Sequence, residues 1–74
     1  MVTRDNSFVI QFGKRVRLLR QQKHHSQQHF ANLCDLELSQ INRIELGKIT
    51  TSIVHAKIIA DALEVKMSEL FDFD

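Results

Sequence analysis

Two short helical patterns meet across a very tight turn between Ser26 and Gly47, in the run SQQHFANLCDLELSQINRIELG. Few folds accommodate such a junction. The Ser26 hydroxyl can accept from an N–H of the following turn that has no intrahelical partner, which predicts a helix from Gln27 to about Cys34. Phe30, Ala31 and Cys34 share one side of it, with Leu33 beside them. Asp35 interrupts the pattern, and Asp tolerates left-handed turn geometry better than most residues. The next pattern runs roughly Leu38–Leu46, with Ile41 and Ile44 inward. Gly47 stops it, supplying the left-handed residue that a helix C-terminus favours.

The flanking sequence extends the same period. Ser7 is placed to cap a first helix, Phe8–Lys23, with Phe8, Phe12, Val16 and Leu19 as its apolar stripe and Lys14, Arg15, Arg17 and Gln21 on the opposite side. Val9 and Leu18 flank the stripe. Gly47–Thr51 reads as a loop. Thr51 or Ser52 caps a fourth helix to about Leu63, with Ile53, Ala56, Ile59, Ala60 and Leu63 inward. A fifth helical turn near Met67–Phe71 closes the core with Leu70 and Phe71. The chain has 74 residues, no proline, 43% apolar residues and no sustained alternation of the β kind. A chain this short buries only about 60–65% of its unfolded surface. The expectation is one all-α domain over residues 1–74, a compact five-helix bundle with residues 1–6 as a flexible arm and 72–74 as a tail.

Several function classes are disfavoured. Cys34 is the single cysteine, so there is no internal disulfide framework, and a reducing, cytoplasmic setting is expected. It falls on an inward face, which predicts a buried core thiol rather than a reactive one. No apolar run approaches the ~20 residues of a membrane span, and residues 1–15 lack the basic-then-apolar order of a secretory signal. His24, His25 and His29 cluster without a Cys or carboxylate to complete a tetrahedral set, so neither metal nor other cofactor is expected. No Ser-His-Asp spacing or glycine-rich phosphate loop is present, and no catalysis is expected. Charge is unevenly spread: residues 1–48 carry eight Lys or Arg against four Asp or Glu, and residues 49–74 carry two against five. A basic portion followed by an acidic one suggests one face for a polyanion.

With Ala31 as the small residue at the helix crossing, and Leu36, Ile41 and Ile44 pinning the unit inward, the Ser26–Gly47 segment forms a helix-turn-helix. Over residues 12–71 the chain resembles the phage repressor and Cro group, the Xre-like helix-turn-helix proteins. The resemblance rests on Phe12-Gly13 and Arg20, on Ser26-Gln27 and Phe30-Ala31, and on Ile41, Ile44-Glu45 and Gly47. Ile59-Ala60, Leu63 and Leu70-Phe71 extend it. Three positions depart from the family pattern: Asp35 stands at its turn glycine, Glu37 at its usual Ser or Thr cap, and Thr51 at its common proline. The resemblance implies a lambda-repressor-like DNA-binding domain whose partner is double-stranded DNA.

With Ile41 and Ile44 inward, a helical wheel points Ser39, Arg43 and Leu46 outward, with Asn42 at their edge and Leu38 on the border. Base readout is expected from Leu38, Ser39, Asn42 and Arg43. Arg43 can pair with guanine, Asn42 with adenine, Ser39 with several base edges, and Leu38 with a thymine methyl. Gln27, at the N-terminus of its helix, and Lys48 and Thr50, in the following loop, are the expected phosphate contacts. Ser26 is read as a cap alone, and Arg15 and Arg17 as solvated surface charge. Glu37 either caps its helix or accepts from cytosine N4. Glu45 lies about 40° from Ile41 on the wheel, where a lone carboxylate is costly. The resemblance implies that Arg20 pairs with it, as a structural ion pair.

These readings converge on a transcriptional regulator, a homodimer binding a pseudo-palindromic operator through the major groove. A phage-type switch, a restriction–modification controller and an autoregulating antitoxin with its own protein partner all stay open. So does a rival class, a protein-interaction module of the same fold that has lost DNA reading; Asp35, Glu37 and the modest net charge favour it. Val54, Ile58, Met67 and Phe73 form either an apolar dimer patch or an unusually wide core stripe.

Overall fold

The computed structural model describes residues 6–73. Five helices follow in order: α1 Ser7–Gln22, α2 Gln27–Cys34, α3 Leu38–Glu45, α4 Ile53–Leu63 and α5 Met67–Leu70. The arm expected at 1–6 lies outside the described residues except for Asn6. Asn6, not Ser7, holds the cap position of α1, and its carbonyl accepts the Ile10 N–H at 3.0 Å. Ser26 and Ser52 cap α2 and α4 through their hydroxyls, which accept from the His29 and His55 N–H groups at 3.0 Å. Among the described residues, no helix is long and apolar enough to cross a membrane.

The tight connections come from a repeated helix ending. His24, Asp35, Gly47 and Glu64 all sit in the left-handed region, with φ of 61°, 55°, 73° and 59°. In each case the next residue's N–H reaches back five positions to a helix carbonyl. The bonds are His25 to Arg20 at 3.2 Å, Leu36 to Ala31 at 3.0 Å, Lys48 to Arg43 at 2.9 Å and Val65 to Ala60 at 3.0 Å. This closure satisfies orphan carbonyls and reverses the chain within a few residues. Gly47 adopts it without steric cost, and a Cβ there would also lie 2.8 Å from the Ile10 Cα. The other three positions carry side chains, at a cost of about 1 kcal/mol each.

The core is drawn from every helix. Phe12, Val16 and Leu19 of α1 meet Phe30, Ala31 and Cys34 of α2, Ile41 and Ile44 of α3, and Ala56, Ile59, Ala60 and Leu63 of α4, with Leu70 closing one end. α1 packs on α3, α4 and α5, and α2 packs on α3 and α4. The α1–α3 crossing is backbone against backbone. A Cβ at Gly13 would collide with the Ile44 carbonyl oxygen and lie 2.8 Å from that of Glu45. Gly13 therefore sets how closely α3 sits against α1.

Three expected core residues lie elsewhere. Ile53 is 80% exposed and Phe8 is 59% exposed. Each falls on the correct helical face, one turn ahead of Ala56 or Phe12, but there the helix has run past the edge of the core. Phe71 is also largely at the surface. Phe8 stacks on Phe71 at 6.3 Å between ring centroids and lies tilted on Phe73 at 5.3 Å. Phe73 is thereby half-buried rather than part of a free tail. Of the four residues weighed as an apolar patch, Ile58, Met67 and Phe73 pack against the core. Only Val54 projects, 64% exposed.

Two stability effects follow. Glu64→Gly should stabilise the fold by about 0.5–1 kcal/mol in urea denaturation, because relief of the left-handed strain exceeds the added entropy of the unfolded chain. The lost contact to Lys23, exposed and 3.9 Å long, contributes little. Gly13→Ala should destabilise by about 1–3 kcal/mol in the same measurement, since two backbones must separate to admit one methyl group.

Candidate nucleic-acid interface

α3 is held from behind and free in front. Ile41 and Ile44 are buried, at 0% and 3% exposure, and the Gly13 crossing presses the end of α3 onto α1. Leu38, Ser39, Asn42 and Arg43 are all exposed. Leu46, at the C-cap, is exposed as well. Lys48 and Thr50 project from the loop that follows. The four residues expected to read bases therefore share one solvent-facing side of a single rigid element, with two of the three expected phosphate contacts just beyond its end. At its start, Glu37 occupies the N-cap position, and the Gln40 side-chain oxygen accepts the Glu37 N–H at 3.1 Å. Gln40 thus compensates for the missing Ser or Thr. The Glu37 carboxylate also sits where the helix dipole favours negative charge.

Arg20 and Glu45 form the polar anchor of this element. Arg20 Nε donates to Glu45 Oε2 at 2.7 Å and Nη2 donates to Oε1 at 3.0 Å, with the two side chains only 10% and 2% exposed. The fork-on-fork geometry fixes angle as well as distance. Arg20 Nη1 also donates to the His25 carbonyl at 2.8 Å, so the same guanidinium fastens the α1–α2 connection.

Gln27 has a second duty. Its side-chain nitrogen donates to Glu45 Oε1 at 2.9 Å, and the residue is half-buried. It is thus part of the ion-pair network, rather than an arm projecting freely toward a ligand. Its place at the first position of α2 still points its backbone N–H outward from the helix end. No periodicity links Gln27 to Glu45 across the turn, so this bond had no signal in sequence. Arg15 is likewise engaged: its Nε donates to the Glu69 carbonyl at 2.9 Å, tying α1 to the end of α5. Arg17 stays exposed.

The remaining chemistry-bearing side chains have other surroundings. The His25 and His29 rings lie 4.9 Å apart between centroids. Among the described residues no group of three or more His, Cys, Asp or Glu is placed to hold a metal ion. Burial raises the Cys34 thiol to about 11, so at neutral pH it is protonated and a poor nucleophile.

The chain belongs to the HTH_3 helix-turn-helix family, whose pattern it matches over residues 16–70. That span contains α2, the turn, α3 and every residue of the interface just described. Among named relatives, the control protein C.MunI from a Mycoplasma species is 37% identical over 67 residues, covering 89% of this chain and 90% of its own length. Among solved structures, the restriction-modification controller protein C.AhdI from Aeromonas hydrophila matches with a TM-score of 0.86 and 35% identity, over 88% of this chain and 98% of that one. An HTH_3 family transcriptional regulator from Vibrio cholerae matches with a TM-score of 0.84 and 26% identity, over 89% of this chain and 37% of that one.

The ion pair is open to direct test. Glu45→Gln should cost about 3–5 kcal/mol in chemical denaturation, because it strands a buried guanidinium. Replacing both partners, as Arg20→Met with Glu45→Leu, should recover most of that loss. A double variant as unstable as the single one would mean that the pair contributes far more than charge compensation.

Proposed function

We propose that this chain is a sequence-specific DNA-binding transcriptional regulator that acts as a homodimer in the cytoplasm, reading a pseudo-palindromic operator in the major groove. The observation that carries the reading is the division of α3. One face is locked by Ile41, Ile44 and the Glu45 ion pair, and the other presents Leu38, Ser39, Asn42 and Arg43 to solvent. A rigid helix standing proud with hydrogen-bonding tips is what major-groove readout requires. In this reading Arg43, Asn42, Ser39 and Leu38 face the bases. Lys48, Thr50 and the amino end of α2 at Gln27 face phosphates. No catalytic role is proposed.

Of the three biological settings, a restriction–modification controller is the one we favour. It is supported by two relatives of nearly equal length, C.AhdI, named as a restriction-modification controller protein, and C.MunI, named as a control protein.

Selection of bound sites from random duplex DNA tests the reading. A two-fold symmetric motif with half-sites about one helical turn apart is expected. Binding to random DNA should weaken steeply with salt. Salt-insensitive or absent binding, beside tight binding to a protein partner, would favour the interaction-module class instead. Residue roles separate in the same assay. Arg43→Ala should relax preference at one base pair by about 1–3 kcal/mol, whereas Lys48→Ala should weaken all sequences evenly and shrink the salt slope by about 1. Uniform weakening by Arg43→Ala would reassign that residue to the backbone.

A further inference from the structure

The amino end of α3 carries two exposed neighbours of opposite character. Glu37 is the N-cap residue and Leu38 the first residue of the helix. Leu38 takes no part in the core and is 41% exposed. The Glu37 N–H donates to Gln40 Oε1 at 3.1 Å, and the Gln40 N–H donates to the Glu37 backbone carbonyl at 3.0 Å. A carboxylate has about four acceptor sites, so that of Glu37 keeps capacity for a further donor. In a DNA-reading helix the N-terminal residues are the ones that meet base edges. Neither residue type is indifferent to that place. An acid is repelled by the flanking phosphates unless a donor compensates it, and a leucine gains only from an apolar group.

We propose that Glu37 and Leu38 together recognise 5-methylcytosine, one in each half-site, so that methylation of that cytosine at C5 tightens operator binding. The proposal rests on the DNA reading above and names the base that the amino end of α3 meets. Elimination along the major-groove edge leads to it. Guanine offers only acceptors, N7 and O6. Adenine offers a donor at N6, but beside the acceptor N7 and with no methyl group. Thymine has a methyl group, but next to the acceptor O4, which opposes a carboxylate. Cytosine has the donor N4 and nothing apolar. Methylation at C5 gives cytosine the group that thymine carries at the same ring position, and one base then shows a donor and a methyl group side by side. Methylation of an exocyclic amino group, at cytosine N4 or adenine N6, does the reverse. It takes up the hydrogen that faces the groove, because the other is engaged in the base pair.

Spacing agrees with a single base as the target. N4 and the C5 methyl group sit on neighbouring ring atoms, and consecutive Cα atoms are ~3.8 Å apart, so each residue can address one of the two groups. Asn42 and Arg43 follow Leu38 by four and five positions, about 6–7.5 Å further along the helix. At ~3.4 Å per base pair they are left for pairs about two steps away.

Fluorescence anisotropy on the operator obtained by site selection tests this, with circular dichroism to verify that the variants fold. Each pyrimidine of a half-site is exchanged in turn among cytosine, 5-methylcytosine, N4-methylcytosine, thymine and uracil. At one position in each half-site, 5-methylcytosine should bind about fourfold tighter than cytosine, the worth of one buried methyl group, and N4-methylcytosine should bind more weakly than cytosine. Leu38→Ala should abolish the advantage of 5-methylcytosine while leaving cytosine preferred over thymine. Glu37→Gln, whose amide can also donate to O4, should remove a preference for cytosine over thymine of about tenfold while keeping the methyl advantage. Specific binding in which no C5 methyl group on cytosine gains even about twofold, or in which either variant keeps both preferences, would overturn the proposal and leave the DNA reading in place. So would a loss on exchange of a neighbouring thymine for uracil with none of the gain on cytosine, since the two side chains would then read two separate bases. Absence of specific binding to any duplex, methylated or not, would overturn both.

Discussion

The Arg20–Glu45 pair is the constraint on which the other contacts depend. A carboxylate and a guanidinium, both nearly sealed from water, are tolerable only when each satisfies the other and their remaining hydrogen-bonding atoms find partners. Those partners define the fold locally. Arg20 comes from α1, Glu45 from the last turn of α3, the third acceptor is the His25 carbonyl between α1 and α2, and the extra donor is Gln27 at the head of α2. If the helix-turn-helix shifts relative to α1, both bonds of the ion pair fail together, and Gln27 alone is left to satisfy a buried carboxylate. Apolar packing of Ile41 and Ile44 supplies most of the attraction but little directional information, and the bidentate pair supplies that direction. Gly13 works with it by letting the two backbones approach until the pair can close.

A second economy lies in the connections. The first four helices end in the same left-handed closure, so the chain turns sharply after each and spends few residues on loops. In a protein of 74 residues that leaves most positions free to contribute either to the core or to the exposed face of α3. The acidic residues that looked misplaced beside a DNA-facing surface have local reasons. Asp35 occupies one of these left-handed positions, and Glu37 heads α3, where its charge is welcome.

Much of this was legible in the sequence, for identifiable reasons. Helix starts at Ser26 and Ser52 and the stop at Gly47 carry strong single-residue chemistry. The inward stripe of α3 is fixed by two isoleucines. What failed did so where periodicity has no information about where the core ends: Ile53 and Phe8 have the right phase on helices that outrun their neighbours. The left-handed end at Glu64 was invisible because that residue type does not prefer the geometry; the surrounding hydrogen bonds impose it. For the interface, outward projection of Leu38, Ser39, Asn42 and Arg43 needed only the helix period. The tethering of Gln27 to Glu45 and of Arg15 to the Glu69 carbonyl depends on tertiary placement, which no spacing along the chain reveals.

The brevity of α3 limits how much it can know. Eight residues make a rod of about 12 Å, which lies along some three to four base pairs at ~3.4 Å each. Four fully read positions distinguish about 256 words, and two heads together about 65,000. A genome presents at least about a million starting positions. Even flawless pairwise reading would leave such a word recurring by chance more than ten times. The missing discrimination has to be drawn from outside the contacts, in the bendability of the uncontacted spacer or in several sites placed in tandem. A reader of this size is legible to its operator only through context.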